Sequence, residues 1–473
     1  MKFDIQVVLV LTLTLFTIMS TSTPPNILVF FTDQQRWDTL GINGYTQGLT
    51  PHFDRWARQG TFFKEAVTPQ PVCGPCRSCL QTGQYATTTG VWRNGLGLKP
   101  DAPKLAELLN AAGYRTSYFG KWHLSEGTGR DAVPQENRGG FQDWLGGNCI
   151  EMVSGPYSAR LWNEENEPVD LPGYRVDAQT DVMIRYLNER AQDQQPFLCF
   201  HSYLEPHHQN TDDSYPAAMG MAEQYRYAPL PPDLAKLDGT AASDWAGYCG
   251  MIKRLDDALG RTMDALYSTG LIENTVVVFI SDHGCHFKTR NHEYKRSPHE
   301  SSVRVPFAIW GPQWNGGGER KEAASLVDLM PSLLDTAGIE IPEAVQGRSL
   351  LPLTRNETQG WPDATFIQFG DMGMPPGRAL RTSRWKYAVT ADETRYKSQG
   401  AAPEYVETFL YDLQTDPYEL RNIISCDSHQ DLKAELKQTL LAMMAAAGEE
   451  PATIIDAENV PGGQRSVDYP GRS

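Results

Sequence analysis

The chain has 473 residues, 40% of them hydrophobic, with a net charge of −16 at neutral pH. That length predicts two domains or one large domain with an appendage, and the apolar fraction supports a sizeable core. The acidic balance excludes a nucleic-acid binder, which needs a basic surface, so any anionic substrate must be captured by a local cationic pocket.

Lys2 precedes an apolar run from Val7 to Ile18, and Ser20-Thr21-Ser22 supplies small residues for cleavage. This run is short for a bilayer span and reads as a signal peptide over 1–22, predicting an exported protein, periplasmic or extracellular. No later stretch is apolar enough for a stable membrane span. Export permits disulfides, but spacing alone pairs none of the eight cysteines. Asn356-Glu357-Thr358 is a glycosylation acceptor only in a eukaryotic host.

In the mature chain, apolar runs alternate with helical patterns. Asn26 to Phe31 is a buried strand type ending at Thr32-Asp33. Leu105 to Ala112 has helical spacing, stops at Gly113 and precedes the strand Thr116 to Phe119. A helix around Val182 to Arg190 precedes the strand Phe197 to Tyr203, and a long helix near Trp245 to Ser268 leads into Thr275 to Ser281. The alternation predicts an α/β fold with a large, mostly parallel sheet sandwiched by helices, functional residues gathering at strand carboxyl ends. Beyond about residue 365, short antiparallel strands (Phe366 to Phe369, Ala379 to Thr382, Trp385 to Thr390) and a closing helix, Leu432 to Ala447, predict a smaller α+β subdomain. The expected division is 23–365 for a catalytic domain and 366–473 for this subdomain.

The run Cys73-Gly74-Pro75-Cys76-Arg77-Ser78-Cys79-Leu80-Gln81-Thr82-Gly83 carries the chemistry. An iron–sulfur reading fails because no fourth Cys followed by Pro appears, and a zinc reading lacks paired Cys-x-x-Cys elements or regularly spaced histidines. Cys-x-Pro-x-Arg followed by Leu-x-Thr-Gly resembles the signature of the formylglycine-dependent sulfatases of the alkaline phosphatase superfamily. The resemblance implies that a maturation enzyme oxidises Cys73 to an aldehyde (3-oxoalanine). Two hydroxyls on its hydrate would then serve, one to attack sulfur and one to expel sulfate. Gly120-Lys121-Trp122-His123-Leu124, Glu205-Pro206-His207-His208 and the stretch from Lys295 to Arg304-Val305-Pro306 match further elements of the family in the same order. Leu410-Tyr411-Asp412-Leu413 with Asp416-Pro417 is similar to its C-terminal subdomain.

Asp33-Gln34 and Asp282-His283 are two donor pairs at strand ends. Two carboxylates and two neutral ligands give a charge of −2, matched to one divalent cation. Oxygen-rich donors favour Ca²⁺ or Mg²⁺, and the imidazole raises the case for Mn²⁺ or Zn²⁺. The commonest sulfatase pattern has Asp where Gln34 stands and Asn where His283 stands. The Gln/His version resembles the branch holding choline sulfatases and phosphonate monoester hydrolases.

The resemblance further implies that an oxygen on Cys73 joins the metal ligands, and that Arg77, Lys121 and Lys295 neutralise the sulfate. His207 would protonate the leaving oxygen and His123 deprotonate the second hydroxyl, although the two roles could be exchanged. Substrate contacts are expected from Arg93, Asn94, His208 and Arg290. The expected activity is hydrolysis of carbohydrate sulfate esters from a sulfated polysaccharide. The rivals are a phosphonate monoester hydrolase or phosphodiesterase of the same fold, and a non-catalytic carbohydrate-binding relative.

Overall fold

The computed structural model describes residues 23–127 and 129–457, so the expected leader over 1–22 lies outside the described residues, as does 458–473 of the expected subdomain. The larger sheet comprises β1 (Asn26–Thr32), β2 (Thr61–Phe63), β3 (Arg115–Lys121), β4 (Asp143–Gly147), β5 (Ser158–Trp162), β6 (Pro168–Pro172), β7 (Phe197–Ser202), β8 (Thr275–Ser281), β9 (Phe307–Trp310) and β10 (Gly318–Arg320). Their spatial order is β10-β2-β9-β8-β1-β7-β3-β4-β5-β6. The centre, from β8 through β1, β7 and β3 to β4, is parallel, whereas β9 on one side and β5–β6 on the other run antiparallel.

The central strands are apolar throughout because both faces are covered. Ile27, Val29 and Phe31 of β1 and Val276, Val278 and Ile280 of β8 pack against the helices Cys73–Thr82, Leu105–Ala111 and Leu329–Thr336. Leu28 and Phe30, with Val277 and Phe279, face the helices Pro51–Gln59, Arg175–Arg190 and Ala241–Thr269. The side-chain period of two thus divides one strand between two cores. This is the alkaline-phosphatase-like α/β architecture, with more antiparallel edge than the sequence suggests.

A second sheet follows from β11 (Ala364–Phe369), β12 (Gly377–Thr382), β13 (Trp385–Thr390), β14 (Glu404–Asp412) and β15 (Thr453–Ile455), in that spatial order. It is antiparallel except for the parallel pair β14 and β15. The helix Gln430–Ala446 buries Leu436, Leu440 and Met444 in a separate core with Phe366, Leu380 and Tyr387. Among the described residues no helix is long and apolar enough to cross a membrane. All eight cysteines are unpaired.

Candidate active site

Carboxyl ends of β1, β3, β7 and β8 lie side by side, so the loops that follow them converge. Backbone bonds continue the sheet a step beyond its strands: Asp33 N–H donates to the Glu205 carbonyl at 3.1 Å, and Asp282 N–H to that of Thr32 at 3.2 Å. Gln34 takes a left-handed φ of 70°. It is held there because its N–H donates to Asp282 Oδ1 at 3.0 Å and its carbonyl accepts from Tyr248 Oη at 2.7 Å. A residue kept in this costly conformation by buried partners aims its side chain with little freedom.

Cys73 opens the helix Cys73–Thr82 beneath these loops. Pro75 sits in the first turn, where an N–H would have no helical partner. Gly83 ends the helix at φ 65°, its N–H donating to the Cys79 carbonyl at 2.8 Å. A Cβ at Gly83 would meet Val345 Cγ1 at 2.7 Å, which explains this glycine of the motif. Asn94 Oδ1 accepts from Gly74 N–H at 2.9 Å, satisfying a donor at the helix start.

Cys73 Sγ lies 3.6 and 3.7 Å from the Asp33 carboxylate oxygens, 3.4 Å from His283 Nε2, 3.6 Å from Lys121 Nζ and 2.9 Å from Lys295 Nζ. Burial alone would raise its pKa, but Lys121 and Lys295 hold the thiol well below its usual range. Asp33, Cys73, Asp282 and His283 present ligand atoms within 4.8 Å of one another, all buried. His283 Nδ1 lies 2.9 Å from the Gly284 carbonyl, to which only an N–H can bond, so the Nε2 lone pair faces the carboxylates at 3.4 and 3.6 Å. Gln34 Oε1 is buried without a hydrogen-bond partner, while its Nε2 donates to Tyr215 and Cys285. Burial, and then the neighbouring Asp33 charge, push Asp282 up to about 6. Two crowded carboxylates, an imidazole lone pair and an orphaned amide oxygen fit one divalent cation.

Lys121 Nζ pairs with Asp33 at 2.8 Å and with Glu151 at 3.1 Å. Lys295 Nζ lies 3.2 Å from His207 Nε2 and 3.0 Å from His283 Nε2. His207 Nδ1 is 2.7 Å from the His208 carbonyl, and its ring stacks on His208 at 4.3 Å. Burial, then Lys295, pushes the His207 pKa down. His123 is left-handed (φ 59°) and buried, 7% exposed.

Three expected residues are used differently. The Arg77 guanidinium is engaged within the protein. It is 2% exposed and bonds Asp33, Asp282, the Lys121 carbonyl and Ser202 Oγ, so it holds the ligand carboxylates from beneath. Arg290 donates to the Tyr418 and Glu419 carbonyls, which ties its loop to the C-terminal unit. Asn94 caps the nucleophile helix. Arg93 remains half-buried beside Trp92, its Nη1 on the Asn94 carbonyl at 3.0 Å. His208 is buried between His207 and Tyr294. Glu151 was not legible in the sequence, because it lies in the short 3-10 helix Ile150–Met152 after β4, which carries no motif, and only the folded pairing with Lys121 marks it.

Comparison with known proteins agrees with this geometry. A family model described as sulfatase matches residues 25–339, and one described as N-sulphoglucosamine sulphohydrolase, C-terminal, matches 291–446. An ulvan-active sulfatase of Formosa agariphila is 31% identical over 451 residues, covering 90% of this chain and 82% of its own. An N-acetylglucosamine-6-O-sulfatase of Bacteroides thetaiotaomicron is 24% identical over 495 residues, covering 88% and 85%. A solved structure from work on glycosaminoglycan metabolism by Bacteroides thetaiotaomicron superposes with a TM-score of 0.78 at 24% identity, covering 90% of this chain and 97% of its own.

Proposed function

The chain belongs to the sulfatase family, and from that premise we propose that it is an exported sulfatase cleaving sulfate esters of a carbohydrate, drawn from a sulfated polysaccharide, with an aldehyde hydrate made from Cys73 as nucleophile. Membership makes it a sulfuric ester hydrolase. The sugar substrate rests on relatives whose names carry ulvan and N-acetylglucosamine 6-O-sulfate. The observation that carries the mechanism is the setting of Cys73 Sγ, which lies within 3.7 Å of the Asp33 carboxylate, the His283 imidazole and two lysine ammonium groups.

In this reading the Cys73 sulfur stands where the hydrate oxygens would lie. A divalent cation held by Asp33, Gln34, Asp282 and His283, with Ca²⁺ favoured by the oxygen donors, would supply Lewis-acid stabilisation of negative charge there. Lys121 and Lys295 neutralise the sulfate oxygens as charge grows on them. One hydrate oxygen forms a bond to sulfur while the bond from sulfur to the sugar oxygen breaks. Lys295 and His207, 3.2 Å apart, share the proton that the leaving oxygen needs. His123 then takes the proton of the second hydroxyl, the C–O bond to sulfate breaks, and the aldehyde returns.

Mass spectrometry of the Cys73 peptide, from a host with the maturation enzyme, tests the nucleophile. The aldehyde is expected, and Cys73→Ala should be inactive. Full activity from protein retaining an intact thiol would overturn the mechanism. Turnover of sugar sulfates against aryl phosphonates separates the proposal from the phosphonate hydrolase reading.

A further inference from the structure

Next to the catalytic cluster lies a second group of ligand atoms, which shares His123 with the proposed reaction and adds Cys149 and Glu151. His123, Cys149 and Glu151 each present one donor, and the three lie within 4.8 Å of one another. His123 Nδ1 faces Glu151 Oε1 at 4.0 Å. Two atoms here are buried without a hydrogen-bond partner, His123 Nδ1 and Glu151 Oε2, on side chains 7% and 4% exposed. An orphaned imidazole nitrogen and an orphaned carboxylate oxygen turned towards a thiol are costly in a folded interior unless something joins them.

We propose that His123, Cys149 and Glu151 form a second metal site for a borderline-soft cation such as Zn²⁺, and that its occupancy switches the enzyme off. A thiolate, a carboxylate and a neutral imidazole balance a +2 charge, and this N, S, O set selects Zn²⁺ over Ca²⁺. The Asp33 site, rich in oxygen, has the opposite preference. Tetrahedral zinc holds its ligand atoms about 3.3–3.7 Å apart, so these side chains need only a small contraction. Cys149 is half-buried, unlike its two partners, and gives the ion a way in from solvent. A Cβ at Gly129 would meet Cys149 Sγ at 2.7 Å, so the thiol packs closely against this glycine.

Inhibition follows from what the ion would take. An imidazole bound through Nδ1 keeps its proton on the other nitrogen, so His123 can no longer accept one from the hydrate. The ion would also compete with Lys121 for Glu151, whose Oε1 now lies 3.1 Å from that ammonium. The binding prediction holds whatever the natural ester is.

The test uses the full-length protein in saturating Ca²⁺, titrated with Zn²⁺ for activity and with Co²⁺ for its spectrum. A second bound ion, reversible loss of turnover and a thiolate-to-cobalt absorption band are expected. Cys149→Ser should lose the band and, measured against its own zinc-free rate, need at least ~10-fold more Zn²⁺ for the same fractional inhibition. Because Cys73 is also a thiol near metal ligands, the band is read in Cys73→Ser protein too, where it should persist. If Cys149→Ser folds poorly, alkylation of the half-buried Cys149 in wild type should abolish the band. Absence of the band, its loss with Cys73→Ser, or unchanged zinc inhibition in Cys149→Ser would overturn the proposal.

Discussion

Lys295 Nζ lies within 3.2 Å of Cys73, His207 and His283, so one ammonium group touches the proposed nucleophile, the proposed acid and a proposed metal ligand. This geometry makes separate predictions for its neighbours. His207 donates through Nδ1 to a carbonyl, and burial followed by Lys295 depresses its pKa, so in the proposed mechanism it would relay a proton that Lys295 supplies. His207→Ala should therefore slow esters of sugar alcohols by roughly a hundred- to ten-thousand-fold while sparing esters of acidic phenols, which leave unprotonated. Lys295→Ala should impair both classes, since it also removes a charge from the sulfate. Equal losses for the two classes in His207→Ala would move the acid role elsewhere. Metal dependence belongs to the same scale. Prolonged chelation should abolish turnover and readdition of Ca²⁺ restore it. Asp282→Ala, which leaves one carboxylate against a divalent charge, should lose metal affinity and activity together, as metal analysis beside initial rates would report.

At the scale of elements, the second sheet holds the loop that carries Lys295. Glu300, five residues on, accepts from Arg381 at 3.1 Å through both oxygens and lies 2.7 Å from Lys386, two partners on β12 and β13. Arg381 also reaches Glu65 at 2.8 Å, so the pairs cross between the two units. Burial would raise the Glu300 pKa, but Arg381 and Lys386 hold it well below the usual range. A depressed acid pKa stabilises the native state above the unfolded value, about 4.3, and that contribution is lost as pH falls below it. The C-terminal unit should thus loosen below about pH 4, seen as earlier proteolysis there. Glu300→Gln should cost about 3–5 kcal/mol and lower kcat, because a buried partner is removed and the Lys295 loop slackens; unchanged denaturation and kcat would remove this coupling. The same elements set how far sequence reading reached. β8 and β13 follow their apolar runs residue for residue, because burial on a face decides those strands locally. β4, β5 and β6 were missed, being five-residue strands towards one end of the sheet, β4 with two glycines and β6 with a proline at each end, stabilised by partners rather than by composition. Asp33, Gln34, Asp282 and His283, which the fold brings together, stood out as donor pairs at strand ends, and Lys121 and Lys295 stood out within motifs. The uses of Arg77, Asn94 and Arg290 were not legible, since a motif names a residue without saying which acceptors its neighbours will offer.

For the whole molecule, charge sets the terms of substrate capture. The chain carries −16, and even one bound divalent ion leaves it strongly acidic. Its active-site cations are largely committed to internal carboxylates: Lys121 to Asp33 and Glu151, Arg77 to Asp33 and Asp282. A polysulfated chain therefore meets repulsion at long range and attraction only over the last few ångströms. Screening acts on the two differently, because the Debye length falls from about 30 Å at 0.01 M salt to about 8 Å at 0.15 M, while a buried lysine at the sulfate is hardly screened. Raising monovalent salt over that range, at constant Ca²⁺, should increase kcat/KM for a polysulfated oligosaccharide several-fold and leave a monosulfated sugar nearly unchanged. Arg93, half-buried and carrying no ion pair with a carboxylate among the described residues, is the cation best placed to extend the local attraction. Arg93→Ala should lower kcat/KM for the longer substrate and leave its rise with salt intact. Initial rates across a salt series measure both effects. A kcat/KM that falls steadily with salt would mean that a cationic field governs capture, and the local picture of recognition would have to be abandoned.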